Sequence, residues 1–198
     1  MERIKTFEDR ALERRKQNKP NPLEYVGAEL FVHLLLPRVR RINSNITVNY
    51  PEDFEDEITS SIKNQDLLVI VSNHDSYHNA QSQAAVSNDI FVKANEISSE
   101  SFPGFRMPVS AALTTGDQGY LARRIYEESE PMLNEKHLFT FPHTRAVDIA
   151  KYATPANSSE YFRTLDDTIC ENYGIGIFPE GNMGNGAGMR EFKDGTLT

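Results

Sequence analysis

The chain reads as an α/β fold: a largely parallel, twisted sheet flanked by helices and preceded by an N-terminal helical extension. Three observations predict this. Leu67–Ser72 (LLVIVS) and Ile175–Phe178 (IGIF) are short apolar runs bounded by turn residues, the pattern of a buried strand. Segments with helical spacing alternate with such runs, and parallel strands need helical crossovers to join them. At 198 residues with 38% hydrophobic content, the chain has the length and apolar material for one domain core. The boundary falls after the first basic segment, giving residues 1–41 as the extension and 42–198 as the α/β domain.

In chain order, residues 2–18 carry Ile4, Phe7, Ala11 and Leu12 near helical spacing among alternating charges, which predicts a solvated helix with a weak apolar face. Lys19–Pro22 (KPNP) breaks it. Leu23–Leu36 is an apolar helix that Pro37 is expected to end, with Arg38, Arg40 and Arg41 directly behind it. This segment is either a core helix followed by solvated arginines or a helix lying in a membrane interface. Ile46–Tyr50 (ITVNY) alternates as a strand does, and Pro51–Glu57 (PEDFEDE) reads as an acidic loop. After Leu67–Ser72, Ser76–Val86 is expected as a helix and Ile90–Lys93 (IFVK) as a strand. Ser98–Thr115 reads as irregular because of Pro103, Gly104 and Pro108, and Tyr120–Ser129 as an exposed helix. Leu138–Phe141 is expected as a short strand and Pro142–Arg145 as a loop. Tyr161–Tyr173 is a helix with Gly174 as its C-terminal cap. The segment after Gly195 brings no closing element, so the domain reads as truncated.

Charge is unevenly spread. Residues 1–41 carry ten Lys/Arg against six Asp/Glu, while the whole chain carries 21 against 29, a net −8. An acidic protein with a basic N-terminal segment argues against general nucleic-acid binding. No run of about 18 apolar residues occurs, so no membrane span is expected, and the charged start does not read as a secretory signal. Cys170, the one cysteine, reads as a buried structural thiol in a reducing, cytoplasmic setting.

Two stretches hold the residues suited to chemistry. The strand run Leu67–Ser72 leads into Asn73 and His74, and a neutral imidazole at a strand end suits a general base. Asn79 follows five positions on, within reach to orient the ring if the segment is helical. Taken alone, a histidine after a strand reads first as a packing or capping residue. The run Ile175–Phe178 leads into Pro179, Glu180 and a loop with Gly181, Gly184, Gly186 and Gly188. Strand ends in α/β sheets hold ligands, and glycines let backbone N–H groups approach an anion; a turn-rich surface loop is the equal alternative. His74, Asp75 and His78 also spell H-D-x-x-H, one carboxylate away from the zinc motif H-E-x-x-H. That motif wants both histidines inside a helix, whereas His74 comes directly off a strand run, so the zinc-hydrolase reading ranks below the others and no metal is expected.

Taken together, Ser72-Asn73-His74 and Phe178-Pro179-Glu180-Gly181 resemble the glycerolipid acyltransferases, the glycerol-3-phosphate and 1-acylglycerol-3-phosphate O-acyltransferases. That family carries N-H-x-x-x-x-D, then F-P-E-G-T-R-S, then F-K-x-G. Phe192, Lys193 and Gly195 fall at the family spacing from Phe178, and Phe91-Val92-Lys93 looks like the family's strand after the first motif. The resemblance runs from about Ile46 to the last residue. It implies no cofactor, an acyl-CoA or acyl carrier protein as cosubstrate, and a glycerolipid or other hydroxyl acceptor. It implies a peripheral position on the cytoplasmic side of a membrane. It assigns His74 as the base that deprotonates the acceptor hydroxyl and Asn79 as its orienting neighbour. Arg145 (in LFTFPHTR) would hold an acceptor phosphate, with Arg123 or Arg124 as the second choice, and Glu180, Gly181 and Lys193 would help bind the acceptor. Two departures stand out: Asn79 replaces the family aspartate, and Asn182, Met183 and Asn185 replace its threonine and two arginines. They favour, as the alternative function, a weak or inactive relative that binds lipid or acyl carrier.

Overall fold

The computed structural model describes residues 7–42, 46–73, 79–97, 101–143 and 155–179. They group into two compact units: residues within 1–44, 108–132 and 141–166, and residues within 45–107, 133–140 and from 167 on. Four strands, β1 (Val69–Val71), β2 (Phe105–Ser110), β3 (Leu138–His143) and β4 (Gly174–Ile177), form one sheet in the order β1-β4-β2-β3. β4 runs parallel to both β1 and β2. The α/β class with a parallel sheet and flanking helices is therefore the fold of the chain.

In the first unit, α1 (Phe7–Gln17) buries Ala11 and ties down through Arg14, whose guanidinium lies 3.3 Å from the Asp117 carboxylate. α2 (Pro22–Leu30) starts as its sequence dictates. The Asn21 side chain accepts from the Glu24 N–H at 2.9 Å, and Pro22 sits where a helix has no use for an N–H. The helix does not stop at Pro37. A π-helical turn, Phe31–Leu35, carries it into α3 (Leu36–Ile42). The Leu36 N–H bonds to the Phe31 carbonyl, five residues back. This wider turn gives the Pro37 ring room against the preceding carbonyls, where an α-turn would clash. Ala28, Val32 and Leu36, four apart, form the buried face. Leu23, Val26, Leu30, Leu34 and Leu35 are exposed, Leu23 to 85%. Further on, α6 (Ala111–Thr115) is capped by Ser110, and α7 (Tyr120–Glu135) continues through Pro131, past the expected end at Ser129. Among the described residues no helix is long and apolar enough to cross a membrane.

The second unit holds the β1–β4 pair and its core. Leu138 and Phe105 are fully buried, and α5 (Asn79–Ile97) lays Gln83, Ala84, Ser87, Ile90 and Ala94 inward. Several expectations fail here. Ile90–Lys93 is helical. A strand would give Ile90 and Val92 the same face, yet Ile90 is 4% exposed and Val92 46%, because the helical period sets them apart. Ile46–Tyr50 joins no sheet; instead Tyr50 stacks on Phe54 at 4.1 Å and donates to Asp89 at 3.3 Å. The acidic segment after Pro51 opens α4 (Phe54–Asn64), with Glu55, Asp56 and Glu57 in a first turn that favours negative charge. The stretch read as irregular contains β2 and α6.

β1 was expected to be buried and is the outer strand of the sheet. Leu67, Val69 and Val71, all on one face, are about half exposed. α8 (Pro155–Cys170) ends before Gly174, and Cys170 is exposed rather than buried. The left-handed residue closing this helix is Asn172, at φ 60, with Tyr173 N–H returning to the Thr168 carbonyl at 2.9 Å. Gly174 instead begins β4, where a Cβ would lie 2.4 Å from the Phe105 ring.

Candidate functional site

β1 and β4 pair with Val69 opposite Ile175, Ile70 opposite Gly176 and Val71 opposite Ile177. Both strands run the same way, so their C-terminal ends lie side by side, where ligands bind in parallel sheets. One pairing step beyond the ladder, the Ser72 N–H still donates to the Ile177 carbonyl at 3.2 Å. The first motif continues from Ser72 and the second from Phe178.

Side chains from α5 reinforce this junction. The Gln83 amide, 1% exposed, donates from Nε2 to Ser72 Oγ at 2.9 Å and to the Ile177 carbonyl at 3.0 Å. Asn79, the first described residue of α5, lies one turn before Gln83 and is half-buried. The approach of α5 depends on small residues of the strand. A Cβ on Gly176 would meet Gln83 Oε1 at 3.1 Å and Leu138 Cδ1 at 3.5 Å.

Charges at the opposite end of β4 are internally compensated. Arg106 sits 4.0 Å over the Tyr173 ring and pairs with Glu171 at 2.5 Å. Two histidines have local partners: one in an exposed ion pair, the other in a ring stack. His33 lies 3.1 Å from Glu29, and His137 stacks on Phe91 with ring centroids 3.3 Å apart. Burial, and secondarily Lys136, pushes the His137 imidazole below its ordinary range, while its carbonyl accepts from Ser87 Oγ at 2.8 Å.

Of the sequence-derived site residues, Asn79 is described, as the first residue of α5. His74, His78, Arg145, Glu180, Gly181 and Lys193 lie outside the described residues. The second-choice arginines are committed elsewhere. Arg124 bonds Glu29 at 2.8 Å and Glu127 and Glu128 at 3.1 Å each, and Arg123 lies 3.4 Å from Glu127 and over the Tyr120 ring. Lys93, on α5, pairs with Glu55. The strand assigned to Phe91–Lys93 on the family pattern is part of α5. Gln83 went unnoticed in the sequence; the available signal was its place on the face of α5 that also carries Ala84, Ser87 and Ile90. Among the described residues no group of three His, Cys, Asp or Glu side chains is disposed to hold a metal. No family model, curated protein or solved structure matches the chain.

Proposed function

We propose that the chain is an O-acyltransferase that moves an acyl group from acyl-CoA or acyl carrier protein to a hydroxyl of glycerol-3-phosphate, lysophosphatidate or a related lipid acceptor. The observation that carries the reading is the β1–β4 register. Val71 faces Ile177, and His74 and Glu180 each follow three residues later in the sequence. Two stretches about a hundred residues apart thus leave neighbouring ends of one parallel sheet. In the proposed reaction His74 takes the proton of the acceptor hydroxyl. The oxygen attacks the thioester carbonyl, the new C–O ester bond forms, the C–S bond breaks, and the proton passes to the leaving thiolate as thiol. Asn79 orients the imidazole, Arg145 pairs with an acceptor phosphate as a bidentate guanidinium suits, and Glu180, Gly181 and Lys193 assist acceptor binding. The exposed apolar face of the α2–α3 helix, with Arg38 exposed near the start of α3 and Arg41 exposed in its last turn, supports peripheral contact with the cytoplasmic side of a membrane.

The test is thiol release from acyl-CoA by the full chain with candidate acceptors. Release is expected to be lost in His74→Ala; undiminished release in that variant would sink the proposal. A second reading, an acyl-carrier or lipid binder without turnover, is favoured by Asn79 in the aspartate position and by Asn182, Met183 and Asn185. Saturable acyl-CoA binding without release by any acceptor would select it.

A further inference from the structure

We propose that Gln83 is a positioning residue whose amide clamps the ends of β1 and β4 together, fixing the spacing of the two segments on which the acyltransferase reading rests. The geometry is specific. The Ile177 carbonyl can only accept, so the atom facing it at 3.0 Å must be the amide nitrogen, whose other proton goes to Ser72 Oγ at 2.9 Å. One amide therefore bonds the last residue of β4 and the first residue beyond β1. The Ser72 N–H to Ile177 carbonyl bond closes a ring across the junction.

This orientation leaves Gln83 Oε1 buried without a hydrogen-bond partner among the described residues, beside Gly176. An unmade acceptor in such a place costs about 1–3 kcal/mol. A leucine would fill the same space with no orphaned oxygen, so packing alone does not call for an amide here. What the amide adds is a link between two strand ends, made from a helix that also carries Asn79 one turn earlier. His74 is two residues past Ser72 and Glu180 three past Ile177 in the sequence, so the clamp acts on the two strand ends from which those segments leave.

The experiment uses the full chain with Gln83→Leu, and Ser72→Ala as the variant that removes one of the two bonds with less risk to folding. Two quantities are read. The first is amide hydrogen exchange at Ser72, referenced to Ile175, whose N–H bonds the Leu68 carbonyl at 2.9 Å within the same ladder. Ser72 is expected to exchange about tenfold faster or more in Gln83→Leu, and less so in Ser72→Ala, with Ile175 unchanged. The second is the split of thiol-release kinetics. kcat is expected to fall about tenfold or more with KM for acyl-CoA within about twofold, and the double variant is expected to lose no more than Gln83→Leu alone. Unchanged Ser72 exchange in both variants overturns the clamp whether or not the protein turns over. Faster exchange with kcat unchanged overturns its positioning role. If wild type releases no thiol with any acceptor, the acyltransferase reading falls by itself and the exchange result alone decides the clamp. If Gln83→Leu does not fold, Ser72→Ala decides it.

Discussion

Gly174 and Gly176 show how single residues set the packing around β4. Gly174→Ala drives a Cβ to 2.4 Å from two carbons of Phe105, a ring with no exposure and nowhere to move. Its expected cost is about 1–3 kcal/mol, read as a lower urea midpoint; an unchanged midpoint would contradict the packing described. Gly176→Ala meets the Gln83 amide oxygen at a longer 3.1 Å and is expected to cost less. Neither role was legible in the sequence. Gly174 follows a helical run and suggests a cap, but Asn172 supplies the left-handed turn, so the glycine is needed for strand packing instead. Asn79 was singled out by its spacing from His74; it opens α5, and the segment that links it to His74 lies outside the described residues. Asn79→Asp adds the negative charge that an amide lacks beside an imidazolium. It is expected to raise the rate of thiol release, and an unchanged rate would speak against the orienting role.

Elements were legible where the apolar period was strong and misread where tertiary context decided. β4 was read within one residue at each end, as a strand bounded by turn residues. IFVK looked like a strand because β-branched and aromatic residues cluster there, but small and polar residues on either side hold the segment in the helical period. The helix through Pro37 was missed because a π turn leaves no mark in composition. Two predictions belong at this scale. Glu29 links α2 to α7, and its bonds from Arg124 first and Tyr120 second hold its carboxyl down to about 2 against an ordinary 4.5. A depressed carboxyl contributes stability that is present above about pH 4.5 and lost as pH falls toward 2. Glu29→Gln is therefore expected to be less stable at neutral pH and to show a shallower loss across that acid window. Equal slopes for both proteins would contradict the linkage. The exposed row Leu23, Val26, Leu30 and Leu34 gives the other. Leu30→Asp with Leu34→Asp is expected to reduce co-sedimentation with anionic liposomes several-fold while leaving folding intact, since both side chains are solvent-exposed. Retained binding would remove this helix as the contact.

The sheet order β1-β4-β2-β3 brings together strands that the chain separates by about a hundred residues. The sequence spelled the two segments and their strands. It held no information on adjacency, because many strand orders satisfy the same alternation of elements. It also hid which strand is outermost: β1 is as apolar as a central strand, yet Leu67, Val69 and Val71 remain about half exposed. Parallel pairing in register sets side by side the strand ends from which the two motifs continue, with Gln83 across the junction. The most direct test is to incubate the full chain with acyl-CoA, with and without a hydroxyl acceptor, and follow both thiol release and the mass of the acceptor. The account predicts acceptor-dependent release matched by acceptor that has gained the acyl group, both abolished in a folded His74→Ala protein. Release that ignores the acceptor, or acylated acceptor formed equally by His74→Ala, would contradict it.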